Sequence, residues 1–331
     1  MAYKFQLNQH TYLSDIDPQH FDDISLAVFG YQYHHNEIYR QFCNAIHRTP
    51  ATIQQTIDIP FLPISFFKTH RVVADTCEFP ELLFESSGTT GDVNSRHYVQ
   101  DAKLYEQSLL AGFRQFYGEP QQYAIIGLLP SYLERQNASL VYMSKVLMEH
   151  SGHPDCGFYL NEFDKLSNVL ARLEAVGQKV LLIGVTFALL DFAEAYSMQL
   201  KHTTVMETGG MKGRRQEMTR TQVHDTLKQQ WQVDAVHSEY GMTELLSQAY
   251  ALQDGIFQPS ATMKVLVRDI NDPMEVRTSG NGCLNIIDLA NLHSCSFIAT
   301  EDIGSLRADG SFEVLGRMDH AALRGCSLMA V

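Results

Sequence analysis

KVLLIGVTFALLDFAEAYSMQLKHTTVMETGG, residues 179–210, decides the fold. KVLLIGV (179–185) is an apolar run of strand length, apolar on both sides, as a strand covered on both faces must be. TFALLDFAEAYSMQ (186–199) carries its apolar residues at helical spacing, and TTVMETGG (203–210) reads as a second strand stopped by two glycines. A strand, a helix and a strand within so short a segment form a crossover, and crossovers join parallel strands.

The alternation continues in both directions. Upstream, DAKLYEQSLLAGFRQFYGEP (101–120) has helical spacing, with Gly118 where a helix-ending glycine belongs and Pro120 just beyond. YAIIGLLP (123–130) is a buried strand stopped by Pro130. NASLVYMSKVLMEHSG (137–152) is a helix with Asn137 expected as N-cap and Gly152 as its stop. Downstream, RQEMTRTQVHDTLKQQW (215–231) is a helix and VDAVHSEYG (233–241) a strand. After about Asp254 the helices cease. TMKVLVRDI, GCLNIIDL, SCSFIAT and SFEVLGR are closely spaced short strands, which predict a smaller antiparallel sheet or barrel. The first 80 residues look helical and peripheral, apart from the proline-punctuated DIPFLPISFFK (58–68). The expected fold class is α/β, with mostly parallel layered sheets, helices, and a smaller antiparallel β subdomain near the C-terminus. Its expected divisions are a helical region 1–80 packed on the main domain, an α/β core 81–254, and a β-rich subdomain 255–331 ending in a tail.

Composition removes several classes of function. The 331 residues are 45% apolar and 19% charged, as in an ordinary globular protein. The net charge of −13, with basic residues thinly spread, argues against nucleic acid, whose phosphates need a concentrated basic face. MAYKFQLNQH lacks the apolar centre of a signal peptide, and no run is long enough for a membrane span. Cys43, Cys77, Cys156, Cys283, Cys295 and Cys326 are scattered and never spaced as CxxC, so a reducing cytoplasm is expected.

Four segments carry chemistry. In LLFESSGTTGDVNSRHYV (82–99), the flanks make a strand–loop–strand element around Ser86, Ser87, Gly88, Thr89, Thr90 and Gly91. A Walker-type loop would need a Gly-Lys-Ser/Thr ending and a helix behind it, and neither is present. The glycines can turn successive backbone N–H groups inward and the hydroxyls add donors, which makes a nest for a polyphosphate; the plain alternative is a polar hairpin. HSEYGMTE (237–244) follows a late strand, where an open parallel sheet presents ligand contacts. TEDIGSL (300–306) and LGRMDHAALRG (315–325) follow in the β-rich part.

These four in this order resemble the adenylate-forming enzymes, from about Leu82 to the last residue. SSGTTG…SRHYV, LLPSYLERQNASLVYM, TGGMKGRR, HSEYGMTELLSQAY and RGCSLM narrow the resemblance to the acyl-protein synthetase (LuxE-type) family. The resemblance implies ATP and Mg²⁺, a fatty or other carboxylic acid substrate, an acyl-adenylate, and transfer of the acyl group to a protein thiol, with an acyl reductase or acyl-carrier protein as partner. It implies that Ser86–Gly91 cradle the β- and γ-phosphates and that Tyr240 stacks on adenine. Gly209 and Gly210 would allow close backbone approach, and Thr243 would reach the α-phosphate. Glu244 would hold Mg²⁺ as a hard oxygen ligand. Asp302 and Arg317 would hold the ribose. Cys326 would carry the acyl group.

Two departures from the family pattern stand out. The cation near the phosphate loop is Arg96 rather than a lysine, and the chain stops where a small lysine-bearing C-terminal domain would begin. The balancing cation is then expected elsewhere, with Lys212 first and Arg214 and Arg215 beside it. Rival readings are a small acyl- or aryl-CoA ligase and a catalytically weak nucleotide- or acyl-binding subunit. His150, His153 and Cys156 have a spacing that could bind zinc but lack an evident fourth ligand, and no GxSxG elbow supports a serine hydrolase.

Overall fold

A computed structural model of the chain describes residues 13, 16–75, 79–86, 93–130, 137–160, 162–209 and 218–318. Strands alternate with helices where the apolar patterning predicts it. β4 (Ala124–Leu128), β6 (Val180–Val185), β7 (Thr203–Thr208) and β8 (His237–Tyr240) are parallel neighbours in that order. β5 (Gly157–Phe158) adds to β4 in parallel, while β9 (Ala249–Ala251) and β10 (Gln258–Pro259) extend the far side antiparallel.

Every residue of β6 is buried because both faces are covered. Leu182 and Val205 pack on one side with helices Phe163–Ala175, Thr186–Ala195 and Arg220–Trp231. Leu181, Ile183 and Met206 point the other way, towards helices Ala102–Tyr117 and Ser139–Ser151. The two-residue side-chain period of a strand sorts adjacent residues into two cores.

The second sheet is antiparallel along β12 (Val276–Arg277), β11 (Met263–Arg268), β13 (Gly280–Asp288), β14 (Phe297–Leu306) and β15 (Phe312–Arg317). One strand departs from the expected antiparallel pattern. β1 (Leu62–Pro63), from the proline-punctuated N-terminal stretch, pairs with β14 in parallel. The N-terminal helices Phe21–His35 and Glu37–Ala45 pack here too. The ring of Phe297 lies 6.2, 6.0 and 6.3 Å from those of Phe29, Tyr39 and Phe61. Gln32 Nε2 donates to the carbonyls of Asn291 and Leu292, and Asn36 Nδ2 to that of Ser294. The N-terminal segment therefore shares one hydrophobic core with the C-terminal sheet.

Several local expectations are corrected. The N-cap of helix Ser139–Ser151 is Ala138, without a side-chain bond, rather than Asn137. Asn137 Nδ2 instead reaches Glu85 Oε2 at 3.4 Å, and its carbonyl accepts from Glu85 N, so it ties this turn to the hairpin. Helix Arg220–Trp231 begins behind Thr219, whose capping box with Gln222 stops the helix at that point; residues 215–217 lie outside the described residues. Helix Phe163–Ala175 and strand β5 were not expected at all. Leu166, Leu170 and Leu173 carry the helix's apolar stripe at spacings of four and three.

Candidate active site

A cavity of about 350 Å³ opens at the carboxyl ends of β7 and β8, the end at which open α/β sheets bind ligands. Thr208, which ends β7, and Gly209 just after it border the cavity, as do Glu239 of β8 and Gly241 just after that strand. The hairpin of β2 (Leu82–Glu85) and β3 (Arg96–Val99), with Leu82 opposite Val99 and Glu85 opposite Arg96, supplies Glu85, Ser86 and Ser95. Glu301 and Arg317 close it from the C-terminal sheet.

Of the residues singled out in the sequence, Ser86, Gly209, Thr243, Glu244 and Arg317 line this one cavity. Tyr240 and Asp302 adjoin it without lining it. Tyr240 is buried and Asp302 half-buried, and the Tyr240 hydroxyl donates to Asp302 Oδ2 at 2.8 Å. The Tyr240 ring lies 5.8 Å from that of Phe257 and 5.4 Å from that of Phe312. Arg96 does not line the cavity; its Nε pairs with Glu85 Oε1 at 3.3 Å on the exposed side of the hairpin. Ser87, Gly88, Thr89, Thr90, Gly91, Gly210, Lys212, Arg214, Arg215 and Cys326 lie outside the described residues.

Buried polar ties set the walls. His97, on β3, is fully buried, with Nδ1 2.9 Å from the Thr243 carbonyl and Nε2 2.9 Å from Asn291 Oδ1. Burial lowers its pKa to about 4, so its neutral ring joins the hairpin to the Gly241–Glu244 turn without adding charge. Asn291 Nδ2 donates to the Glu244 carbonyl at 2.7 Å. Ser86 Oγ accepts from Ser95 N at 2.8 Å, which pins the start of the phosphate-loop candidate to its end. Gly209 has φ +70°, a backbone conformation that a side chain strains, and its carbonyl accepts from Thr186 Oγ1 at 3.2 Å.

Among the charged groups of the described walls carboxylates outnumber cations: Glu85, Glu239, Glu244 and Glu301 face only Lys68 and Arg317. Burial raises the pKa of Glu244, opposed by a hydrogen bond with Ser95. Burial pushes Glu239 up to about 7, against a hydrogen bond accepted from Thr208 Oγ1 at 2.6 Å. Its neighbour Glu207 behaves in the opposite way. Burial would raise its pKa, but His224, Arg220 and the Ser238 hydroxyl, which donates at 2.8 Å, together hold it low. A Cβ on Gly241 would stand 2.4 Å from Glu239 Oε1, so the carboxyl folds against a position only glycine accommodates.

Glu239 has a measurable consequence. Its folded-state pKa lies above the unfolded value, so the folded chain holds the proton more tightly. Its stabilising contribution is complete below about pH 4.5 and is lost as pH rises to about 7, a decline of up to about 3 kcal/mol. Glu239→Gln should remove that decline. Denaturation midpoints at pH 5 and pH 8 should differ less in the variant than in wild type, and an equal difference would exclude the assignment.

The sequence did not single out Glu239, Lys68, Ser95, His97 or Glu301 as site residues. Glu239 stood inside the quoted HSEYGMTE, where a charged residue on an otherwise buried strand is itself a signal. Among the described residues no group of three or more His, Cys, Asp or Glu side chains gathers around a metal position. His150 Nδ1 faces the Val146 carbonyl, Cys156 Sγ accepts from Ile125 N, and His153 Nδ1 accepts from Asp155 N, so the three do not converge. Glu244, one of the wall carboxylates, is a hard oxygen donor of the kind Mg²⁺ takes, since that ion needs only one or two carboxylates and fills its remaining positions with waters and phosphates.

This fold is that of the adenylate-forming enzymes. An open conformation of 2-hydroxyisobutyryl-CoA ligase in complex with 2-HIB-AMP and CoA matches with a TM-score of 0.64 at 11% identity, over 89% of this chain and 69% of that one. ATP-bound MatB from Rhodopseudomonas palustris matches with a TM-score of 0.53 at 17% identity, over 71% of this chain and 47% of that one. The alignment thus takes in about half of the ATP-bound relative. Within this class, the family described as "Acyl-protein synthetase, LuxE" matches residues 12–330, and the chain belongs to that family. It is similar to the long-chain-fatty-acid--luciferin-component ligases of Aliivibrio fischeri (24% identical, over 93% of this chain and 86% of the relative) and Vibrio harveyi (22%, over 91% and 85%).

Proposed function

We propose that the chain activates a fatty acid with ATP and passes the acyl group to a protein thiol. The observation that carries this reading is the convergence of Ser86, Thr243, Glu244 and Arg317 on one cavity at the ends of β7 and β8. One carboxylate oxygen of the acid attacks the α-phosphorus, the bond to the β-phosphate oxygen breaks, and pyrophosphate leaves. A thiolate then attacks the acyl carbon and AMP leaves. Positioning and charge neutralisation account for most of such catalysis. Thr243 offers its hydroxyl to the α-phosphate, and Ser86 begins the cradle for the outer phosphates.

Glu244 would hold Mg²⁺, which when bound neutralises phosphate oxygens, a need set by the surplus of wall carboxylates. Arg317 lies 3.8 Å from Asp302 Oδ1, a pair suited to the ribose end. Lys212 is proposed as the cation that stabilises the transition state, with Tyr240 and Gly210 beside the adenine. Among the described residues no helix is long and apolar enough to cross a membrane. We place the enzyme in the cytoplasm with an acyl reductase or acyl-carrier protein downstream.

Cys326 is the proposed acyl carrier. A thiol near its ordinary pKa of ~8.5 is mostly protonated at neutral pH, and a cation such as Arg324, two residues away in sequence, would favour the thiolate if held beside it. Incubation with ATP and a labelled long-chain acid should leave hydroxylamine-sensitive label on the protein. Cys326→Ser should lose that label completely while still exchanging pyrophosphate. Equal labelling of the variant, or acyl transfer to coenzyme A alone, would replace this reading with a CoA ligase.

A further inference from the structure

A second cavity, of about 640 Å³, lies between the N-terminal segment and the C-terminal sheet. Phe42, Ile46, Ile57 and Ile64 form one side, and Met274, Val276 and Ala299 belong to the other. It is a solvent-open cleft with mostly apolar walls, and its volume falls in the ~300–1,000 Å³ range of ligand pockets.

Lys68 and Glu301 line both this cavity and the nucleotide-facing one, so the two share a boundary. Three cations border the apolar cavity, and two of them are engaged. Arg48 pairs with Asp58 at 3.3 Å, and Arg268 donates to the carbonyls of Leu284 and Thr300 and to Asn285 Oδ1. The ammonium of the exposed Lys68 has no hydrogen-bond or ion-pair partner among the described residues, and the residue stands at the boundary.

We infer that the apolar cavity holds the hydrocarbon chain of the acid and that Lys68 holds its carboxylate at the junction of the two cavities. The inference rests on the acid-activating reading above and locates the acid within it. The reacting end of the acid must lie beside the α-phosphate, in a cavity of about 350 Å³ that also has to hold the nucleotide, so a long tail needs space beyond it. The shared wall at Lys68 leads to that space. Lys68 stands at the junction beside Glu301, and its free ammonium with the mostly apolar walls behind it matches a molecule with one anionic end and a long alkyl body. Burial of each methylene should tighten binding about fourfold, corresponding to ~0.8 kcal/mol, until the cavity is filled.

The test uses the full chain and cis-parinaric acid, a fluorescent long-chain acid, displaced by saturated acids of increasing length. Wild type should show rising affinity with length and then a plateau. Val276→Trp and Ile46→Trp fill the cavity from opposite sides at half-buried positions. Each should move the plateau to shorter chains and weaken a fourteen-carbon acid at least about tenfold, the loss of roughly two buried methylenes. Binding of ATP should be unaffected. Lys68→Met should weaken the acids while leaving displacement by the matching alcohols unchanged. Unaltered length dependence in both tryptophan variants, provided they melt as wild type does, overturns the inference and leaves the adenylation reading intact. Absence of long-chain acid binding in wild type also overturns it. Length-dependent binding that is lost in the variants, together with no pyrophosphate exchange for any acid, supports the cavity assignment and removes the adenylation reading.

Discussion

Glu244→Gln should lower pyrophosphate exchange by at least about a hundredfold, the scale of losing one well-placed electrostatic contact in a reacting site. Glutamine keeps the shape and removes the charge. Binding of ATP should change only a few-fold, because Ser86, Thr243 and Arg317 remain in place. The same substitution should leave the fold intact. Burial raises the pKa of Glu244, so the ionised carboxylate is disfavoured by the folded environment, and the neutral amide relieves that penalty above the group's folded pKa. Loss of activity with an equal or higher melting temperature at pH 8 is the expected pair of results. Near-normal exchange would remove Glu244 from the metal-holding role; lost exchange with a lowered melting temperature would indicate a structural role instead.

The alternation of apolar strands and helices was legible because burial on two faces leaves its mark on nearly every residue of β4, β6 and β7. Helix Phe163–Ala175 escaped notice although its leucines keep the right spacing. The residues between them, such as Asp164, Lys165 and Arg172, are polar, and no side chain caps its start. The site was legible where one short segment supplies several groups, as in Gly241–Glu244 following β8. It was not legible where distant segments meet. Lys68 comes from the N-terminal helical region, Glu301 from β14 and Ser95 from the hairpin, and only the tertiary fold brings them to one cavity. The union of the N-terminal segment with the C-terminal sheet was hidden for the same reason. The pairing of Leu62 with Ile298 depends on a match of surfaces, which a local pattern does not record.

Asp288 shows how much of the site's order lies in a residue that carries no chemistry. It sits at the end of β13, fully buried, and accepts from Leu246 N at 2.7 Å, Ser247 N at 3.1 Å, Ala290 N at 3.1 Å and the Ser247 hydroxyl at 2.6 Å. Two of those amides belong to the segment directly after Glu244, and the third opens the short helix Leu289–Asn291, whose Asn291 holds the Glu244 carbonyl. Asp288→Ala would leave three buried N–H groups without their acceptor. Each buried donor left unsatisfied costs about 1–3 kcal/mol, so three together remove a large part of the ~5–15 kcal/mol that holds a typical domain together. Denaturant unfolding should show that loss directly. Asp288→Asn keeps one oxygen and turns an NH₂ group towards donors, so it should lose less stability than the alanine variant. It should still lower kcat for adenylate formation, because the turn bearing Glu244 would be held by fewer bonds. An asparagine variant as stable and as active as wild type would mean that the backbone around Glu244 keeps its shape without Asp288.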